Sequence, residues 1–307
     1  MNYVLRTTGL VKRFGEKEVV SNINMNIKKG EIYGFLGPNG AGKTTVMKMI
    51  VNLNKPTSGE IEIFGEKLNY NSFETLKRIG SIIEYPVFYD RLTGRENLEL
   101  HCAYMGYYDK KAIDEALNLV NLIDIDRKAV KDFSLGMKQR LGIARAIITK
   151  PELLILDEPI NGLDPIGIKE IRNLLIMLSK EYGITILISS HLLSEIEQIA
   201  DTIGIINNGK LIKEVSMNSI RDHHTEYVEI TTKDYKMAAC TLENDLNISN
   251  FKIADNNTIR IYDLNLAQKD ISKALILKGV EIEGMNKKNS TLEDYFLKLI
   301  DGSDLSA

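Results

Sequence analysis

Long apolar runs, a charge surplus and clustered cysteines are all missing from this chain of 307 residues. The longest apolar stretches, such as Ile184 to Ser190, fall well short of the roughly 20 residues a bilayer-spanning helix needs, so any membrane crossing is expected of another polypeptide. Met1 to Leu10 carries no apolar h-region, and no secretory leader is expected. Thirty-nine basic residues against 42 acidic ones leave a formal charge of -3, which gives no electrostatic case for a nucleic-acid partner. The two cysteines, Cys102 and Cys240, have neither metal nor redox spacing and are expected as buried thiols of a reducing compartment. What remains is a globular composition: 44% hydrophobic residues can bury a core, and the length suggests two domains.

The most informative stretch is Gly37, Pro38, Asn39, Gly40, Ala41, Gly42, Lys43, Thr44 and Thr45. Glu31 to Leu36 ahead of it is apolar and β-prone, and behind it Val46, Met49, Ile50 and Leu53 recur at helical spacing. A strand, a glycine-rich loop and a helix are the context in which G-x-x-x-x-G-K-[ST] means a phosphate-binding loop, because backbone N–H groups must converge on one anion. Lys43 would reach the β- and γ-phosphates of a nucleotide, and the Thr44 hydroxyl would take a place on Mg²⁺.

Strands are expected at Val4 to Thr7, Val19 to Ile27, Glu31 to Leu36 and Glu60 to Phe64. Phe14 falls in the connection from Lys12 to Gly15, where an aromatic either stacks on an adenine ring or simply packs. From Ser72 to Lys150 the pattern turns helical, with a short strand at Ser81 to Glu84, an aromatic cluster at Tyr85 to Tyr89 and an amphipathic helix around Ala112 to Leu122. Ser134 opens a further helix, as a plain N-cap or as part of a helix terminus that receives phosphate from a second molecule.

Leu153 to Leu156 is unbroken apolar sequence and ends in Asp157 and Glu158. Acids at the carboxyl end of a buried parallel strand lie in the crevice where α/β proteins bind ligands. There Asp157 can hold Mg²⁺ and Glu158 can deprotonate an attacking water. Thr185 to Ser189 is a second buried strand, and it runs into His191, which is either structural or a donor to the γ-phosphate. Thr202 to Ile206 and Lys210 to Val215 pair across Asn207-Asn208-Gly209.

Together these pieces resemble the nucleotide-binding domain of ABC transporter ATPases over residues 1–218. The resemblance implies an α/β P-loop fold with a RecA-like core, an antiparallel β-subdomain and a helical subdomain at 72–150. It also implies a signature stretch from Ser134 through Gly136 to Arg140, a D-loop from Asn161 to Asp164 and a switch function for His191. In such a protein two copies, identical or similar, clamp ATP head to tail. Phe14, the phosphate loop, Ser134, Gly136 and Asp164 would contact nucleotide, Thr44, Glu84 and Asp157 the magnesium ion, and Glu158 and His191 would carry catalysis.

Two departures matter: the signature reads Phe133-Ser134-Leu135-Gly136-Met137, and Glu84 stands where the family places a glutamine. Both resemble the exporters that protect bacteria from bacitracin and lantibiotics. That likeness implies a separate membrane permease docking near Glu84 to Arg95 and a peripheral site on the cytoplasmic face of the membrane. Two alternatives stay open, a soluble ABC protein acting on ribosomes or DNA, and an ATP-binding switch without significant turnover.

Residues 219–307 are expected to form a small α+β domain of ferredoxin-like order βαββαβ, ending in a strand at Val280 to Gly284. A last helix, Leu292 to Ile300, would be opened by a capping box of Ser290 and Glu293.

Overall fold

The computed structural model describes residues 3–107, 109–122, 128–222, 226–263 and 265–289. The chain divides into two units, Met1–Asn218 and Ser219–Ala307.

In the first unit, β1 (Tyr3–Phe14) and β2 (Lys17–Lys28) form an antiparallel hairpin. The first strand is far longer than its sequence suggests. At φ +58 Gly9 falls within the register shift between Thr7 and Leu10 as a bulge, and pairing resumes at Leu10. Phe14 is therefore the last residue of β1, opposite Lys17, and not part of a connection.

Next, β3 (Ile32–Leu36) is buried throughout and feeds the glycine-rich loop and α1 (Lys43–Ile50). With β4 (Ser58–Ile63) and β5 (Glu66–Lys67), the first two strands make a four-stranded antiparallel sheet ordered β2-β1-β4-β5.

Then come α2 (Phe73–Lys77), β6 (Ile79–Ile82), α3 (Gly94–Met105), α4 (Lys110–Leu119) and α5 (Leu135–Ile147). The sequence reading missed α3, although Thr93 to Glu96 carries its start signal. The Thr93 hydroxyl accepts the Glu96 N–H while the Glu96 carboxylate accepts the Thr93 N–H, both bonds of a capping box. The short strand lies two residues earlier than expected, because Glu84 at φ +63 has already left the extended region.

The remaining elements of this unit are β7 (Leu153–Asp157), α6 (Pro165–Lys180), β8 (Thr185–Ser190), α7 (Leu193–Glu197), β9 (Thr202–Asn207) and β10 (Lys210–Ser216), and the boundary between the units falls within α8 (Met217–Asp222). Six strands assemble in the order β10-β9-β3-β8-β7-β6, parallel except for β10. Every residue of β3, β7 and β8 is buried, as strands covered on both faces must be.

The second unit runs β11 (Glu226–Thr231), α9 (Tyr235–Asn244), β12 (Phe251–Asp255), β13 (Thr258–Ile261), α10 (Gln268–Leu277) and β14 (Gly284–Asn289). Its antiparallel sheet is ordered β12-β13-β11-β14. Val228, Ile230, Ile259 and Ile261 of the sheet share a core with Ala238, Leu242, Ile271 and Leu275 of the two helices. Val280 is buried in that core but precedes β14, so its apolar character marks burial and not strand pairing. Cys240 is exposed on α9, against expectation, whereas Cys102 is buried. The helix and capping box expected at Ser290 to Ile300 lie outside the described residues.

One buried polar contact ties β3 to β10. The Tyr33 hydroxyl donates to Glu214 Oε2 at 2.9 Å, and the same oxygen accepts the Asn26 N–H at 3.1 Å. Burial pushes the Glu214 carboxyl above its ordinary value, and these hydrogen bonds offset that only in part. An acid whose folded pKa is raised keeps a proton that the unfolded chain has released. Its contribution to stability is therefore present below the unfolded pKa and lost as pH rises through the folded one. Glu214→Gln should remove this loss, so its melting temperature should gain on that of the unaltered protein as pH climbs through the window. Thermal melts across a pH series check this.

Candidate functional site

β8 lies between β3 and β7, with all three parallel, so Leu36 and Asp157 end on one edge of the sheet. Past Leu36 the chain must turn in very little space. A Cβ at Gly37 would stand 2.2 Å from the Ile206 carbonyl oxygen, and Gly42 adopts φ +109, which side-chain-bearing residues rarely reach. Gly42 is also the N-cap of α1, which begins with no side-chain cap and no acid in its first turn. The first N–H groups of the helix are thus left for another acceptor, at its positive end. A cavity of about 250 Å³ opens over Asn39 to Thr45, with Val19 and Glu158 completing its wall.

Lys43 is only 5% exposed. Its ammonium donates to the Gly37 carbonyl at 2.7 Å and to the Pro38 carbonyl at 3.3 Å, and stands 3.3 Å from Glu158 Oε1. That carboxylate oxygen is buried and accepts no hydrogen bond, so its tie to Lys43 is Coulombic only. Glu158 itself sits at φ +49, the left-handed region, at the end of β7. Its other oxygen lies 2.8 Å from His191 Nδ1. A carboxylate only accepts, so Nδ1 carries the proton of this bond.

Asp157 is held from two sides. Thr44 Oγ1 donates to its Oδ2 at 2.8 Å, and Ser189 Oγ donates to its Oδ1 at 2.6 Å. Ser189 also accepts the Glu158 N–H at 2.9 Å and so fixes the backbone of both acids. Sequence reasoning passed over Ser189. Its signal was a hydroxyl inside an otherwise apolar buried strand, where a polar group needs a partner.

The structure thus gathers Lys43, Thr44, Asp157, Glu158 and His191 around the loop Gly37–Thr45. The donor set fits a magnesium nucleotide: uncapped N–H groups and an ammonium for phosphate, and the hard oxygens of Thr44 and Asp157 for the cation.

Other residues singled out from the sequence stand apart from this cavity. Ser134 caps α5 by accepting the Met137 N–H at 3.2 Å, and Asp164 caps α6 by accepting the Gly167 N–H at 3.1 Å. Leu135 packs close to Gly162, and Leu163 close to Gly136, so these two turns lie against each other. Phe14 is half exposed, with the Lys12 ammonium 5.0 Å from its ring centre. Glu84 is paired with Lys48 at 2.5 Å.

The ABC transporter family pattern matches residues 20–161. An uncharacterized ABC transporter ATP-binding protein of Bacillus subtilis (strain 168), YcbN, is 64% identical over the whole of both chains. The bacitracin transport ATP-binding protein BcrA of Bacillus licheniformis is 48% identical over 99% of this chain and all of its own. Among solved structures, the dimeric ATP-binding cassette MJ0796, in a post-hydrolysis state bound to ADP and Pi, superposes with a TM-score of 0.63. It is 28% identical and covers 69% of this chain and 98% of its own.

Ser189→Ala leaves the buried Asp157 carboxylate and the Glu158 N–H each short of a partner. An unsatisfied buried group costs about 1–3 kcal/mol, so the variant should unfold at a correspondingly lower urea concentration, read by circular dichroism.

Proposed function

This chain belongs to the ABC transporter ATP-binding proteins, and we propose that it hydrolyses ATP to drive export of a bacitracin-like or lantibiotic-like peptide through a separate membrane subunit. The observation that carries hydrolysis is the trio of Lys43, Glu158 and His191 at the mouth of an uncapped helix. The substrate class rests on the likeness to BcrA over essentially the full length.

In this reading the loop Gly37–Thr45 and Lys43 bind the phosphates, with Pro38, Asn39, Ala41 and Thr45 completing the loop. Thr44 and Asp157 would hold Mg²⁺, which when bound neutralises charge on the phosphate oxygens. Glu158 takes the proton of the attacking water; its buried Oε1, accepting no hydrogen bond, is the atom with a lone pair to spare. His191 orients Glu158 through Nδ1 and reaches the γ-phosphate through its other nitrogen.

Ser134, Gly136 and Asp164 complete the site of a second copy of the chain, since on their own chain they lie outside the phosphate cavity. Phe14 stacks on the adenine ring. The segment Glu84 to Arg95 docks the permease: Tyr85, Val87 and Tyr89 are 75%, 78% and 55% exposed, large apolar side chains that a partner would cover. Among the described residues no helix is long and apolar enough to cross a membrane. The chain works at the cytoplasmic face, where ATP is.

Glu158→Gln should bind ATP as the unaltered protein does and accumulate as a dimer in size-exclusion chromatography with Mg²⁺ and ATP. Phosphate release should fall by about 10²–10⁴-fold, the range of a lost general base. Unchanged phosphate release would remove Glu158 from the chemistry. Negligible release by the unaltered protein, with its membrane subunit present, would favour an ATP-binding switch.

A further inference from the structure

A second cavity, of about 270 Å³, opens in the first unit between α4 and α6. Its walls are the buried side chains of Ala112 and Ala116 on α4, Ile147 on α5, Leu178 on α6 and Ile184 just ahead of β8. The two alanines are four residues apart and so share one face of α4. That face offers only methyl groups, and the room a longer side chain would fill is left to the cavity.

Polar groups enter at the mouth, where Glu115, Lys150 and Tyr182 are each more than half exposed. The Lys150 ammonium stands 3.1 Å from Glu115 Oε2. The pair is neutral taken together, so nothing at the mouth calls for a charged occupant. A carboxylate accepts at both of its oxygens, however, and Lys150 stands against one of them, so Glu115 can still take a hydrogen bond from a donor.

The cavity is remote from the phosphate loop. Pro151, which also lines it, comes two residues before β7, and Ile184 directly precedes β8. Since β7 and β8 are parallel, these residues lie at the edge of the sheet opposite the one that carries Asp157, Glu158 and His191. Strands of this length span roughly 17 Å.

Size narrows the occupant. An apolar cavity of about 150 Å³ takes one benzene ring, and clefts for drug-sized molecules begin at about 300 Å³. Two fused rings fall between these limits.

We propose that this cavity is a second ligand site, for a neutral and largely apolar alcohol or phenol of about two rings, whose hydroxyl donates to Glu115 while its rings lie between α4 and α6. A molecule held there joins the two helices across the gap that the alanines leave.

The test uses the full chain with 2-naphthol as probe, read by fluorescence anisotropy; the chain has no tryptophan to compete with the naphthol signal. Binding should saturate, and Mg²⁺ with ATP should not displace the probe. Ala116→Leu puts carbon atoms where the rings lie and should weaken binding about tenfold or more in a close-packed interior, with an unaltered circular dichroism spectrum. Glu115 lies at the exposed mouth, so Glu115→Ala spares the fold. It should weaken 2-naphthol about three- to tenfold, the range of one hydrogen bond, and leave the affinity for naphthalene, measured by displacement, unchanged. Absence of saturable binding, displacement by Mg²⁺ with ATP, or an unchanged affinity in Ala116→Leu overturns the site. Should Ala116→Leu fail to fold, Glu115→Ala decides, and equal behaviour of the two probes in that variant overturns the proposal.

Discussion

A lysine ammonium removed almost wholly from water has to be met by oxygen atoms, and the fold around Lys43 supplies them. Burying an unpaired charge costs several kcal/mol after relaxation. Two loop carbonyls, from Gly37 and Pro38, and the Glu158 carboxylate offset that cost from different elements. Each is available only because the backbone is bent to present it. Gly37 passes under the Ile206 carbonyl where no side chain fits, and Glu158 takes a left-handed conformation that turns its carboxylate back toward the loop. Bound phosphate would be one more oxygen donor to a cation already dressed in oxygen.

The same logic organises the acids. Asp157 accepts from Thr44 and Ser189, Glu158 faces Lys43 and His191, and Glu84 faces Lys48. Three of the five side chains that face these acids, Lys43, Thr44 and Lys48, belong to α1. A single helix therefore contacts the phosphate loop, the magnesium-type oxygens and the start of the exposed aromatic segment.

The turns at Ser134 and Asp164 stand apart from this arrangement. Ser134 and Asp164 cap their helices, and Leu135 and Leu163 lock the two turns together beside Gly136 and Gly162. Their hydroxyl and glycine surfaces stay away from the chain's own phosphate cavity. The ATP-binding cassette MJ0796, whose fold this chain resembles, is dimeric.

Sequence alone marked out the glycine-rich loop, the two acids and the histidine that the structure brings together, and the βαββαβ order of the second unit, because each is a local pattern whose meaning depends on neighbours in the chain. It placed the hairpin at Asn207 to Gly209 for the same reason. It misjudged β1, since a glycine that permits a bulge looks like one that ends a strand, and it overlooked α3, whose capping box sits among aromatic and polar residues with weak periodicity. Tertiary structure alone decided that Ser189 joins Asp157 to Glu158, that Glu84 pairs with Lys48 and that Cys240 is exposed. Those facts depend on which strand ends lie side by side and which faces are covered. Strand order and burial are settled by the packing of distant segments, and no window along the chain contains them.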